Sequence, residues 1–221
     1  VKRDGLFLDT LQFQETVEVE ASADLEAARG ADVVLLCVKT VDTAATARAL
    51  APIVSPGATL VSLQNGVDNV EQIRAAAGIE ALSAVVYVAA SVPEPGRVKH
   101  VGRGDLVIGP RNEKIEGIAA VFARAGVPCV ISDDITGELW TKLLMNCAAN
   151  AISALGRVNY GKIAASPDAT KVVESVVNEV YAVAQAMNVR LARLDNAQAA
   201  LDAALNLTRQ MDKAVSSTAQ D

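Results

Sequence analysis

Two apolar runs rich in β-branched residues restrict the fold of this chain more than any other feature. They are Asp-Val-Val-Leu-Leu-Cys-Val at positions 32–38 and Ala-Thr-Leu-Val-Ser-Leu at positions 58–63. Neither alternates apolar with polar residues, the pattern of parallel strands covered by helices on both faces. Each run is followed by a helical pattern. The first occupies 43–51 and is ended by Pro52; the second occupies 67–77 and is closed by Gly78. The turn pair Pro56-Gly57 precedes the second run. Such a βαβα order predicts a parallel sheet with helices packed on its faces. Only 3% of the residues are aromatic while 51% are hydrophobic, so Val, Leu, Ile and Ala must build the core.

The rhythm then changes. Strand-like pieces at 84–90, 96–101 and 105–109 are separated by Gly and Pro, which predicts antiparallel hairpins at the edge of the sheet. A helix is expected over 114–125 and a last strand over 127–131. Beyond Asp133 the periodicity is helical. One long helix is predicted over 135–155, stopped by Gly156, with Asp133 and Asp134 at its positive end. Ser166-Pro167-Asp168 carries a cap residue, a proline at the first position and an acid. After it, Val172, Val173, Val176, Val177, Val180, Tyr181 and Ala184 mark an apolar face. A further helix is expected from about Asp195 to the end. The expected class is therefore α/β: a Rossmann-like domain over 1–132, then an all-helical domain over 133–221. Since no methionine opens the chain, further sequence is expected to precede it.

The formal charge is −6, from 20 Lys and Arg against 26 Asp and Glu, which argues against a nucleic-acid partner. The longest apolar stretches, such as 81–91, are too short to span a bilayer. Cys37, Cys129 and Cys147 form no Cys-x-x-Cys pair and have apolar neighbours. They are expected to be buried, reduced thiols of a cytoplasmic protein with no secretory leader. The single histidine, His100, lies in the Gly-rich hairpin region, which leaves no Ser-His-Asp triad and no zinc ligand set.

The densest polar signal lies in the long predicted helix. Lys142, Asn146 and Asn150 are spaced four and four, so they line one helix face over about two turns. Leu143, Leu144, Met145 and Cys147 lie between them. An ammonium and two amides among apolar neighbours can meet a substrate's oxygens. Alternatively, the amides bond to nearby backbone while Lys142 reaches water along its apolar stem. Trp140 reads as a packing anchor. Gln64-Asn65-Gly66 follows the second strand and Lys39 follows the first, so both lie where open α/β sheets bind ligands. Asn-Gly is also a favoured turn pair, and Lys39 also suits a solvated surface.

In order and spacing these residues resemble the ketopantoate reductase family. Val38-Lys39, Gln64-Asn65-Gly66 and Leu139-Trp140-x-Lys142-Leu143-x-x-Asn146 carry the resemblance, with Ser216-Ser217-x-x-Gln220-Asp221 further on. The Trp-x-Lys-Leu-x-x-Asn box is its most specific part. The resemblance implies NADPH-dependent reduction of 2-dehydropantoate, a small 2-keto acid, in pantothenate biosynthesis, and assembly as a homodimer. It implies that Lys142 is the proton donor, and that Asn146 and Asn150 hold substrate oxygens. It further implies that Ser217 binds the substrate carboxylate, with Asn65 and Lys39 near the cofactor. The residue types suit the chemistry. A lysine ordinarily titrates near pH ~10.4, so it is charged at neutral pH and can both stabilise and protonate an alkoxide.

The chain departs from the family pattern in two places. No Gly-x-Gly-x-x-Gly turn occurs in these 221 residues, and they stop at Asp221, before the point at which the family places a glutamate beyond its serine-bearing helix. Two alternatives follow: a related dehydrogenase acting on another 2-keto acid, and a non-catalytic dinucleotide-binding protein.

Overall fold

The structure, a computed structural model, describes residues 1–216, and the chain divides into two compact units after Ile135. The first unit is a mixed sheet with helices on both faces. Its elements are β1 (Leu6–Asp9), β2 (Gln14–Val17), β3 (Val33–Leu36), α1 (Thr43–Leu50), β4 (Thr59–Ser62) and α2 (Asn69–Ala77). They are followed by β5 (Ala81–Glu94), β6 (Arg97–Gly109), α3 (Ile115–Arg124) and β7 (Cys129–Ile131). The sheet order is β2-β1-β6-β5-β4-β3, with β7 also paired to β6. β3 and β4 run parallel, Val33 opposite Thr59 through Leu36 opposite Ser62, as the apolar runs predict.

Alternation along the strands divides the core in two. Leu36 and Leu60 face Ala47 and Leu50 of α1 and Ile73 of α2. Val61, Ala84 and Ile108 face Ile115 and Ile118 of α3. Gly78 closes α2 in the left-handed conformation, at φ 66°.

Three expectations need correction. The pieces at 84–109 are one long antiparallel hairpin, not short edge hairpins. It lies in the middle of the sheet, because β5 pairs β4 while β6 pairs both β1 and β7. β6 absorbs Gly104 and Val101 as extra residues, at the register shifts opposite Tyr87/Val88 and Ala89/Ala90, while Gly102 stays paired with Ala89. Next, β3 is an edge strand among the described residues and is not covered on both faces: Leu35 is 45% exposed. The thiols follow from the same geometry. Cys37 continues the uncovered face of β3 and is exposed, while Cys129 and Cys147 are half-buried.

The second unit is helical. α4 (Ile135–Gly156) begins at the division, followed by α5 (Tyr160–Ala165), α6 (Pro167–Ala186) and α7 (Ala197–Gln210). Ser166 caps α6, its hydroxyl accepting from the Ala169 amide at 3.3 Å, with Pro167 at the first position. Val173, Val177 and Ala184 of α6 are fully buried, as are Ala200 and Ala204 of α7 to within 1%. Among the described residues the unit contains no strand. The helix expected to run to the end instead stops at Gln210, and Ser216 lies in irregular chain.

No helix among the described residues is long and apolar enough to cross a membrane.

Candidate functional site

In the second unit, the candidate residues are presented by α4. Lys142, Asn146 and Asn150 are all half-buried, whereas Leu144, Ala148 and Ala149 between them are buried within the unit. The α4 face is therefore graded: apolar residues anchor the helix, and the polar triplet stays partly accessible. Asn150 is held by a side chain and not by neighbouring backbone. The Tyr160 hydroxyl donates to its Oδ1 at 2.7 Å. Tyr160 is 9% exposed, and burial pushes its phenol above the ordinary value, so it stays a donor. Tyr160 thereby steadies the Asn150 amide, whose NH2 supplies two donors and whose Oδ1 keeps a second lone pair for a ligand.

Two further contacts set the position of α4. Glu138, one turn before Lys142, is buried and receives a two-pronged bond from the Arg193 guanidinium, at 2.6 and 2.8 Å. The Ala192 amide donates to the Gly137 carbonyl at 3.3 Å, tying the loop between α6 and α7 to the first turns of α4.

At the other end of α4, the Ser153 hydroxyl donates to the Val158 carbonyl at 2.8 Å and accepts from the Ser216 amide at 3.1 Å. The Tyr160 and Gly161 amides donate to the carbonyls of Ala214 and Asp212, both at 2.9 Å. A side chain at Gly161 would meet the Asp212 carbonyl oxygen at 2.9 Å, so glycine permits this approach. The strap fixes the chain just ahead of Ser217, which itself lies outside the described residues.

In the first unit, Lys39 and Asn65 are exposed and follow the carboxyl ends of the adjacent parallel strands β3 and β4. The two loops are joined: the Thr40 hydroxyl donates to the Asn65 carbonyl at 3.0 Å. Beneath them lies a set of buried polar side chains, Ser62, Gln64, Thr43 and Asn69, bonded to one another and to the loop backbone. Gly66 adopts φ 113°, and a Cβ there would meet Asn69 Nδ2 at 3.0 Å. Residues Thr43, Asn69, Tyr160, Glu138 and Arg193 were not legible as site residues in the sequence. Gln64 adjoins the Asn-Gly pair, but its inward aim has no sequence signal.

An α/β unit with rim loops at the ends of parallel strands, followed by a helical unit bearing one lysine–amide face, defines a two-unit class with a Rossmann-like sheet domain and a helical domain. The family follows from comparison. Residues 1–113 match the model of ketopantoate reductase PanE/ApbA, and residues 134–221 match that of its C-terminal domain. The chain belongs to the PanE/ApbA ketopantoate reductase family. It is 32% identical to a 2-dehydropantoate 2-reductase of Halobacterium salinarum over 86% of this chain and 64% of that protein. It spans about half to two thirds of the length of the curated relatives it matches.

A crystal structure of a PanE/ApbA family ketopantoate reductase from Ralstonia eutropha JMP134 is 43% identical, with a TM-score of 0.90. The similarity covers 99% of this chain and 71% of that one. The fold is shared more widely. A D-mandelate dehydrogenase in complex with NADH and anilino(oxo)acetate has a TM-score of 0.85 at 17% identity, covering 100% of this chain and 72% of that one.

Proposed function

We propose that the protein to which these residues belong reduces the ketone of 2-dehydropantoate with NADPH, with Lys142 as proton donor. The observation that supports this most is the α4 face, on which one lysine precedes two amides in a chain of this family. Reduced nicotinamide, when bound, supplies a hydride to the ketone carbon. The rim of the first unit suits that group's nicotinamide end, since Lys39 and Asn65 are exposed on joined loops at the strand ends. No residue here is assigned to the pyrophosphate.

The remaining roles belong to the chain. The Lys142 ammonium stabilises the negative charge that develops on the ketone oxygen and then gives that oxygen a proton. Asn146 holds a substrate oxygen. Asn150, steadied by the Tyr160 hydroxyl, holds a further substrate oxygen through its NH2. Ser217 binds the carboxylate. A homodimer in the cytoplasm is part of the same proposal.

A second reading, reduction of a different 2-keto acid, is favoured by one finding: the fold is shared with a dehydrogenase of another substrate. The test is the loss of reduced-nicotinamide absorbance in the protein as its gene encodes it. Ketopantoate is compared with aromatic and aliphatic 2-keto acids, each with NADPH and with NADH. Higher kcat/KM with ketopantoate and NADPH is the expected result. Preference for another 2-keto acid supports the second reading, and no turnover with any of them overturns both.

A further inference from the structure

We infer that Gln64, Thr43 and Asn69 are positioning residues that jointly set the two rim loops carrying Lys39 and Asn65. The inference rests on the proposed cofactor role of those two residues. The four buried polar side chains of this set are nearly inaccessible: Thr43 0%, Ser62 3%, Asn69 5% and Gln64 7% exposed. They lie next to apolar core residues, where polar groups without partners are destabilising. Here they are satisfied by one another in a chain whose direction is fixed.

The direction follows from the fixed end. The Val38 carbonyl can only accept, so Gln64 must turn Nε2 toward it, at 2.9 Å. That leaves Gln64 Oε1 to accept from the Ser62 hydroxyl at 3.0 Å. The second Nε2 hydrogen goes to Thr43 Oγ1 at 2.7 Å. Thr43 then donates its own hydrogen to Asn69 Oδ1 at 3.2 Å. Asn69 is thereby obliged to present Nδ2 to the Asn65 carbonyl, at 2.9 Å. That carbonyl also accepts from Thr40 at 3.0 Å. One end of the chain therefore holds the peptide unit entering Lys39, and the other holds the backbone of Asn65 itself.

Packing alone does not call for this arrangement. β3, β4, α1 and α2 are already joined through Leu36, Leu50, Leu60 and Ile73, and an apolar side chain at position 43 or 64 would fill space as well. What apolar residues would not do is fix two loop carbonyls in direction. Gly66 completes the device, since any side chain there would press on Asn69 Nδ2. The loops reach the cofactor already ordered, so less freedom is lost on binding.

The test compares Thr43→Val, which keeps shape and removes the relay, with Thr43→Ser, which keeps the hydroxyl. Asn65→Ala and Lys39→Ala are tested alongside, all in the protein as its gene encodes it. NADPH affinity is read by fluorescence titration and the hydride step by single turnover with protiated and deuterated nicotinamide. Circular dichroism reports folding. Thr43→Val is expected to slow the hydride step about tenfold or more and to weaken NADPH binding, with Thr43→Ser within about twofold of wild type. A folded Thr43→Val protein with wild-type affinity and hydride step, beside an impaired Asn65→Ala, overturns the positioning role alone. Wild-type behaviour of both Asn65→Ala and Lys39→Ala overturns the cofactor reading beneath it. If Thr43→Val does not fold, Asn69→Ala cuts only the last link. Slower hydride transfer in that variant supports the relay, and an unchanged rate overturns it.

Discussion

Replacing Arg193 with alanine tests whether the loop between α6 and α7 secures the start of α4. The Glu138 side chain is 8% exposed and receives both prongs of a guanidinium that is itself 71% exposed. Removing one member of a buried pair leaves the other charge unpaired, a cost of about 3–5 kcal/mol when both are enclosed. Because Arg193 faces water, much of its attraction is screened, which reduces the expected loss to about 2 kcal/mol. Arg193 adopts φ 61°, but alanine meets the same backbone strain, so that contribution cancels. For a chain of 221 residues, each kcal/mol moves the midpoint by about 2–4 °C, so a fall of about 4–8 °C is expected. Thermal unfolding followed by far-ultraviolet circular dichroism weighs helix most and is the suitable assay. Glu138→Gln in the Arg193→Ala background should recover part of the loss, because a neutral amide is easier to leave unpaired. A midpoint within about 2 °C of wild type for Arg193→Ala would refute the reasoning.

Three other outcomes are expected. Lys142→Ala should lower turnover by about 10²–10³ while leaving NADPH affinity nearly unchanged, and Lys142→Arg should not restore full turnover; steady-state rates beside fluorescence titration decide this. Tyr160→Phe frees the Asn150 amide to rotate and should raise the substrate KM about fivefold to tenfold, with a smaller change in kcat; an unchanged KM would remove Tyr160 from the site. Hydrogen bonds from Arg97 and then Gln14 hold the Asp9 carboxyl below its ordinary range, so its contribution is present above the unfolded carboxylate pKa of about 3.9 and is lost as pH falls through the lower folded value. Asp9→Asn should therefore lower the urea midpoint at neutral pH more than in acid, and equal differences at both would contradict the pairing.

The legible parts of the fold were those written in period and punctuation. The apolar runs at 32–38 and 58–63 became β3 and β4 because short runs rich in β-branched residues, bounded by turn and helix signals, favour strands. Ser166-Pro167 and Gly78 marked helix ends through capping chemistry, which acts within a few residues. What escaped was set at long range. β1 and β2 have four residues each; the Leu-Phe-Leu of β1 is too short to stand out, and the Gln-Glu-Thr-Val of β2 is mostly exposed and carries no apolar pattern. Gly102 and Gly104 look like breaks, yet the hairpin runs on because β6 takes up Gly104 as a bulge and pairs Gly102 with Ala89. Exposure of Leu35 and Cys37 depends on which strands flank β3, which its own composition does not contain. At the candidate site, spacing four and four brought Lys142, Asn146 and Asn150 to notice. The partner of Asn150 did not come to notice, because Tyr160 reaches it across a turn of irregular length. Gln64 and Thr43 meet only after the β3–α1–β4 crossover has closed.

The long hairpin also bears on the order in which the first unit assembles. Pro95 and Gly96 join β5 to β6, and Gly96 at φ 84° suits the second corner of a tight turn. The ladder therefore starts between neighbours in the chain and zips outward with little closure entropy to overcome. β1 meets β6 at Phe7 opposite Arg97, partners about 90 residues apart in sequence, and so must wait for a platform that already exists. During refolding, amides of β5 and β6 should gain protection from hydrogen exchange first. Those of β1 should follow, with the Phe7 amide, which donates to the Gly96 carbonyl, marking the moment the outer strands dock.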